Sequence, residues 1–385
     1  MRNRNENRSE KRADIEKNTG LSTESIKEET MGIKSVVRRR LENHHIKKAH
    51  KRQLDTIRQH IAASKENIAP LSAAQDEEAK AYWQRFGFDI KTDWHRFFYA
   101  MTGRWTPQYI TNSVFYRYIQ DSLNDRRITS AWSDKAYLDR FVNAARTPRC
   151  VVRNTSGRLS NESFELISPE EAESIMNRYD ALVVKPALFT SKGKGVRLIK
   201  KPYDFKAVDR EYKSNYVIQL PITQHKDMAQ LNSSSVNTIR VNSVLLDGKA
   251  EIMSCFVKVG KQGEFADNSG HERYFIGIDP QTGKYMDYCI DHDLNKYTSI
   301  PSGFNFAGQP VPNFDQLKET VAKAHACIPH FAFAFWDVCV EADGNATIIE
   351  ANLDTPNIIV AQATGFPFLG EQTEQIMRYY QTHRK

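Results

Sequence analysis

Two acidic residues and an amide lie close together in a predicted hairpin near the C-terminus, WDVCVEADGNATIIEAN, residues 336–352. Its central Asp-Gly pair indicates a two-residue turn between alternating strands, and pairing across that turn sets Asp337 opposite Glu350, with Asn352 on the same face. Opposed like charges repel, and a cation between them would remove the repulsion. Because carboxylate and amide oxygens suit Mg²⁺, the hairpin predicts a magnesium site. The alternative is a solvent-facing side of an edge hairpin.

The same register predicts which hydrophobic side chains of the hairpin face the core. Trp336, Val338 and Ile349 are expected on the core side, whereas Cys339 and Ile348 share the face of the acids. The acidic face is therefore not uniformly polar, which weakens the solvent-facing alternative.

Other segments carry residues suited to phosphate. Lys185 ends an apolar strand, ALVVKP, and a glycine- and lysine-rich loop follows it. Glycines let backbone N–H groups approach an anion, and lysines supply positive charge. Arg240 lies inside a later apolar strand, where a guanidinium needs either an anionic ligand or a structural ion-pair partner. The loop consists of Ser191, Lys192, Gly193, Lys194 and Gly195.

Taken in chain order, these motifs resemble the ATP-grasp superfamily over roughly residues 133–375. The phrases LNSSSVNTIRV, ADNSG and TPNIIVAQATGFPFLG look like the sugar-transfer-associated, or hexapeptide-transferase-family, subgroup, and that similarity covers most of 94–375. Two departures stand out. Gly270 is followed by His-Glu-Arg-Tyr-Phe where a second glycine is usual, which puts the substrate in question, and Gln219 replaces a common hinge glutamate.

The resemblance implies ATP and Mg²⁺ as cofactors and assigns roles to particular residues. Lys185 and Arg240 would be catalytic, holding the phosphates and stabilising charge on the transferred phosphoryl group. Asp337, Glu350 and Asn352 would bind the metal. The implied nucleotide-binding residues are Lys135, Lys185, Ser191, Lys192, Gly193, Lys194, Gly195, Gln219, Leu220, Ile222 and Arg240.

The activity implied is an ATP-dependent carboxylate–amine ligase that works through an acyl phosphate. Its substrates would be a carboxylate and an amine, such as an acidic sugar and an amino acid, in cell-surface polysaccharide biosynthesis. A kinase of the same fold, phosphorylating a small molecule or sugar, stays open. A non-catalytic binding protein that uses its basic N-terminal segment is a second alternative.

Composition and charge bear on compartment and partners. The net charge is +7, and residues 34–65 alone hold five lysines and five arginines against two acidic residues, a net +8. This segment predicts a charged helix that either contacts an anionic surface, membrane or nucleic acid, or is merely solvated. Five cysteines without zinc spacing favour reduced thiols. With no transmembrane segment or signal sequence apparent, the expected location is cytoplasmic.

The chain is predicted to contain three parts. Residues 1–75 form a disordered and basic helical extension, and residues 76–132, rich in aromatic side chains, form a small mostly helical cap domain. Residues 133–385 alternate short strands with helices. The expected fold class is α+β, with the last part an ATP-grasp fold in which two α+β subdomains clasp ATP.

Overall fold

The structure is a computed structural model that describes residues 48, 51–62, 68–188, 193–265 and 273–383. Residues 51–62 are helical, as predicted; the rest of the basic segment 34–65, apart from residue 48, and the polar residues 1–30 lie outside the described residues. Residues Ile61–Lys385 form one compact unit.

A helical layer comes first, beginning at a capping box. The Ser72 hydroxyl accepts from the Gln75 N–H, and the Gln75 side chain accepts from the Ser72 N–H, which satisfies two N–H groups that a helix start leaves open. Behind it the buried Trp83 indole donates to the Pro107 carbonyl at 2.9 Å. The helices are α1 (Ala73–Gln84), α2 (Asp93–Thr102), α3 (Asn112–Val114), a π-helical turn (Phe115–Ile119), α4 (Gln120–Leu123), α5 (Arg126–Trp132) and α6 (Leu138–Phe141).

The first antiparallel sheet has the order β2-β1-β5-β3-β4. Its strands are β1 (Cys150–Thr155), β2 (Arg158–Asn161), β3 (Ala181–Pro186), β4 (Arg197–Lys200) and β5 (Tyr216–Gln219). Helices α7 (Pro169–Met176) and α8 (Phe205–Tyr212) cover one face. Leu182 and Val184 of β3 belong to the hydrophobic core on that side, so alternation turns Val183 and Lys185 to the opposite face.

The second antiparallel sheet has the order β10-β9-β8-β7-β6-β11-β12. Helix α9 (Lys226–Ala229) precedes it, and α10 (Phe314–Ala326) packs on one face through buried residues such as Leu317 and Val321. The strands are β6 (Ile239–Leu246), β7 (Lys249–Val259), β8 (Tyr274–Ile278), β9 (Tyr285–Asp291), β10 (Lys296–Tyr297), β11 (Phe333–Val340) and β12 (Ala346–Asn352).

The β11–β12 hairpin corrects one detail of the sequence analysis. Asp337 does pair with Glu350, but the register shifts between Asp337 and Val338. The turn is closed by a Glu341 N–H donating to the Asn345 carbonyl, so the loop has three residues rather than two. One extra residue on β12, a β-bulge, offsets the longer loop, so that Asp337 still pairs with Glu350.

The bulge also reverses the expected positions of two isoleucines. Ile348 lies in the core, fully buried, and Ile349 faces the cleft described below. Ile349 and Glu350 are consecutive yet both reach the cleft, which regular alternation cannot do.

The helical layer is bonded to the second sheet and to the C-terminal segment. The Asn124 amide donates to the carbonyls of Phe333 and Leu353, at 2.8 and 3.0 Å. The Gln362 side chain accepts from the Ile110 N–H and donates to its carbonyl. These bonds fix the segment after β12. That segment continues into α11 (Ile358–Ala363), a 3₁₀ turn (Gly370–Gln372) and α12 (Thr373–His383).

Candidate active site

A cleft of about 630 Å³ lies between the two sheets. One wall is the inner face of the first sheet, the opposite wall is the second sheet, and residues after β12 and the π-helical turn close a side. The hydrophobic lining includes Pro148, Val183, Val196, Leu220, Ile222 and Ile349. The charged lining consists of Lys135, Lys185, Lys194, Arg240, Lys258, Arg273, Asp337 and Glu350.

Asp337 is held by two cations on neighbouring strands. It pairs directly with Arg240 across β11 and β6, and the Arg240 Nε lies 2.8 Å from its Oδ1. Lys258 Nζ lies 2.8 Å from its Oδ2. Burial alone would raise the pKa of Asp337, but the Arg240 guanidinium and the Lys258 ammonium hold it below its ordinary value. The carboxylate therefore stays ionised.

Glu350 is paired with Lys135 across the cleft. Lys135 Nζ lies 3.1 Å from Glu350 Oε1, and the Lys135 N–H donates to the Ala187 carbonyl just beyond β3. The backbone of Lys135 is thus hydrogen-bonded beside the first sheet, and its side chain contacts the second sheet. The like-charge repulsion expected between Asp337 and Glu350 is offset by the protein's own cations, so that repulsion gives no argument for a metal.

Lys185 projects from β3 and is 7% exposed. Burial, followed by the nearby charge of Lys135, lowers the pKa of Lys185 to about 8. Glu350 acts in the opposite direction. A buried ammonium with a lowered pKa is suited to receive an anion, because an anionic ligand supplies the charge that the apolar surroundings lack.

The polar end of the cleft has more cationic than anionic groups. Lys135, Lys185, Arg240 and Lys258 stand against the two carboxylates, an excess of two positive charges. Such an excess favours polyanionic ligands such as phosphates.

The donor set at this end fits a magnesium ion. Two carboxylates and the Asn352 amide come from adjacent strands and line one cleft, and hard oxygen donors of this kind are those that Mg²⁺ takes. The Asn352 Nδ2 is buried and has no hydrogen-bond partner among the described residues, so this nitrogen contributes no hydrogen bond to that part of the fold. Within the described part of the chain, no group of three or more His, Cys, Asp or Glu could hold a metal; the set here has only two such residues.

Part of the predicted phosphate loop falls on the cleft wall. Ser191 and Lys192 lie outside the described residues. Gly193 and Lys194 line the cleft, whereas Gly195 is not among the lining residues. Gly195 has φ +79°, and a Cβ there would lie 3.0 Å from the Pro186 ring. Only glycine takes that backbone conformation without strain.

The predicted hinge residues Gln219, Leu220 and Ile222 all line the cleft. Gln219 ends β5 and is 5% exposed, and the Leu220 N–H donates to the Arg149 carbonyl at 2.9 Å. Leu220 and Ile222 add apolar side chains to the lining. A flat apolar ring can lie against these side chains, while charged groups of the same ligand meet the lysines and Arg240.

Lys258 and Tyr116 are among the cleft residues that were missed from the sequence. Lys258 lies in the strand IMSCFVKV, and the signal that identified Arg240, a cation inside an apolar strand, was present there as well. Tyr116 reaches the cleft from the π-helical turn. A π turn shifts side chains away from the positions that regular helical spacing predicts, so no sequence pattern indicated it.

Comparisons with known proteins agree with this architecture. A family model described as sugar-transfer associated ATP-grasp matches residues 115–377, which confirms the resemblance and the predicted α+β ATP-grasp fold. No curated protein matches the chain. No helix among the described residues is long and apolar enough to cross a membrane.

Solved structures resemble the chain at low identity. An L-amino acid ligase from Bacillus licheniformis is 14% identical with TM-score 0.38, over 66% of this chain and 48% of that one. The VanG D-Ala:D-Ser ligase from Enterococcus faecalis is 12% identical with TM-score 0.39, over 64% and 61%. D-alanine–D-alanine ligase from Bacillus anthracis is 15% identical with TM-score 0.36, over 65% and 68%. The chain thus spans about half to three-fifths of the first two.

Proposed function

Because the chain belongs to the sugar-transfer associated ATP-grasp family, we propose that it is an ATP- and Mg²⁺-dependent carboxylate–amine ligase that works through an acyl phosphate. The observation that carries the proposal is the composition of one cleft. Its apolar lining residues, such as Leu220, Ile222 and Ile349, suit a purine, and the same cleft gathers four cations around two carboxylates and an amide.

In this proposal the lysines and the loop bind the triphosphate. Lys135 and Lys185 donate to phosphate oxygens, each through a charge-assisted hydrogen bond. The loop 191–195 covers the phosphates and excludes water. The hinge residues Gln219, Leu220 and Ile222 orient the base.

The metal would be held by Asp337, Glu350 and Asn352. When bound, Mg²⁺ supplies a Lewis acid that neutralises charge on the phosphate oxygens. Lys258 and Arg240 fix the Asp337 carboxylate by three contacts, at 2.8, 2.8 and 3.4 Å. A carboxylate fixed in this way meets its ligand without reorganisation.

Arg240 has a second task in the proposal, beside the transferred phosphoryl group. Its Nη1 donates to the Thr355 carbonyl at 2.9 Å, which fixes the guanidinium between β6 and the segment after β12. Fixed positive charge at that point stabilises the negative charge that develops on the phosphoryl group and on the acyl phosphate. The substrates we propose are an acidic sugar and an amino acid, in cell-surface polysaccharide biosynthesis in the cytoplasm.

The test is to incubate the protein with Mg²⁺-ATP and pools of amino acids and uronic acids, measuring ADP release and product mass. A product equal in mass to the two substrates less one water, formed together with ADP and phosphate, supports the ligase. A phosphorylated substrate identifies a kinase instead, and nucleotide binding without turnover on any pool would contradict both.

A further inference from the structure

The cleft continues beyond the residues assigned to ATP and Mg²⁺. In the second sheet the order from the metal-binding side is β12, β11, β6, β7, β8, β9, and lining residues lie on or beside each of these strands. Neighbouring strands are about 4.8 Å apart, so Phe275 on β8 lies about 14 Å across the sheet from Asp337 on β11. The β8–β9 end therefore offers room for a second molecule.

This end is marked by a buried arginine. Arg273 immediately precedes β8, lines the cleft and is 6% exposed. Its guanidinium carbon lies 5.7 Å from the centroid of the Phe275 ring. His292, just after β9, lines the same end. A planar guanidinium beside an aromatic ring is suited to a carboxylate, which it binds with two parallel hydrogen bonds.

The register places Arg273 beside Lys258, one of the two cations that hold Asp337. Lys258 pairs directly with Phe275, and Arg273 precedes Phe275 by two residues on the same face. Lys258 and Arg273 are therefore diagonal neighbours, with about 7–8 Å between their backbones. A small molecule bound to Arg273 by one end could extend its other end past Lys258 toward Arg240, beside which the acyl phosphate is proposed to form.

We propose that Arg273 binds the free carboxylate of an α-amino acid, which serves as the amine nucleophile of the ligase. The inference rests on the proposed function and narrows its amine substrate. The amine nitrogen attacks the acyl carbon, a C–N bond forms, the C–O bond to phosphate breaks, and inorganic phosphate leaves as the nitrogen loses a proton. The product is an amide that keeps the carboxylate bound by Arg273.

The first test needs only the natural protein. ADP release is measured with Mg²⁺-ATP and the uronic acid pool, comparing each amino acid with its carboxamide, such as alanine with alaninamide. Charge-assisted hydrogen bonds to the carboxylate predict kcat/KM roughly 10- to 150-fold higher for the acid than for the amide. Equal use of acid and amide, or preference for the amide, would overturn the inference.

The second test uses Arg273→Gln, with Arg178→Gln as a matched control at an exposed arginine away from the cleft lining. Arg273→Gln should reduce the preference for the acid to a few-fold while the Kd for Mg²⁺-ADP stays unchanged, and Arg178→Gln should alter neither. Retention of the preference in Arg273→Gln, or loss of Mg²⁺-ADP binding in that variant, would overturn the inference. A stable phosphorylated substrate formed in place of an amide by the natural protein would instead refute the ligase function, and the inference with it.

Discussion

The lowered pKa of Lys185 makes nucleotide affinity depend on pH in a calculable way. With a pKa of about 8, the ammonium form is about 76% of the free protein at pH 7.5 and about 9% at pH 9.0. Bound phosphate favours the ammonium, so binding takes up a proton above pH 8 and affinity falls as pH rises. The Kd for Mg²⁺-ADP should weaken about eightfold between these two pH values, or about 1.3 kcal/mol.

The variant Lys185→Arg tests whether the pH dependence of nucleotide affinity comes from the titration of Lys185. Arginine stays charged throughout the range, and phosphate esters are already ionised above pH 7.5 because their second pKa is about 6. Calorimetric titration of Mg²⁺-ADP at saturating Mg²⁺ should therefore give a slope with pH in the natural protein and a flat profile in Lys185→Arg. A flat profile in the natural protein, or the same slope in the variant, would refute the assignment of Lys185 to phosphate.

Three further changes test other parts of the account. Glu350→Gln removes the partner of Lys135 beside the buried Lys185, so thermal melting without ligand should show a loss of roughly 1–3 kcal/mol; an unchanged melting temperature would mean that the Lys135 contact is without consequence. Lys258→Met, which keeps the volume but leaves Asp337 with Arg240 alone, should weaken Mg²⁺-ADP binding by roughly 1.5–3 kcal/mol; binding equal to that of the natural protein would remove Lys258 from the site. Deleting residues 1–60 should leave ADP release on small substrates intact, and its loss would show that the basic segment serves catalysis rather than an anionic surface or solvent.

The sequence predicted those parts of the site that depend on local pattern. The apolar strand pattern singled out Arg240 as a buried cation, whereas Asp337 falls opposite Glu350 as predicted because the bulge offsets the longer loop. It failed where the backbone departs from regular geometry. The bulge after Asp337 exchanges the positions of Ile348 and Ile349, and nothing in local propensity distinguishes a two-residue turn from a three-residue turn with a bulge.

The pairing of charges could not be predicted for a different reason. Lys135 lies 215 positions from Glu350 in the sequence, and their contact depends on how the two sheets face each other. Sequence pattern gives the face on which a charge lies but not the partner opposite it in another sheet. The repulsion between Asp337 and Glu350 therefore no longer argues for a metal, although the two residues do face each other as predicted.

A change at Asn352 provides the sharpest test of whether this cleft binds a nucleotide together with Mg²⁺. Asn352→Leu keeps a side chain of similar size but removes its oxygen donor. Because the Asn352 Nδ2 has no partner among the described residues, the protein should keep its melting temperature. Calorimetric titration with a non-hydrolysable ATP analogue, in Mg²⁺ and in EDTA, is the measurement. We expect the natural protein to bind the analogue more tightly in Mg²⁺ than in EDTA. In Asn352→Leu the apparent Mg²⁺ affinity should be about 10- to 100-fold weaker, at an unchanged melting temperature. Equal affinity in Mg²⁺ and EDTA for the natural protein, or full Mg²⁺ dependence in Asn352→Leu, would contradict this expectation.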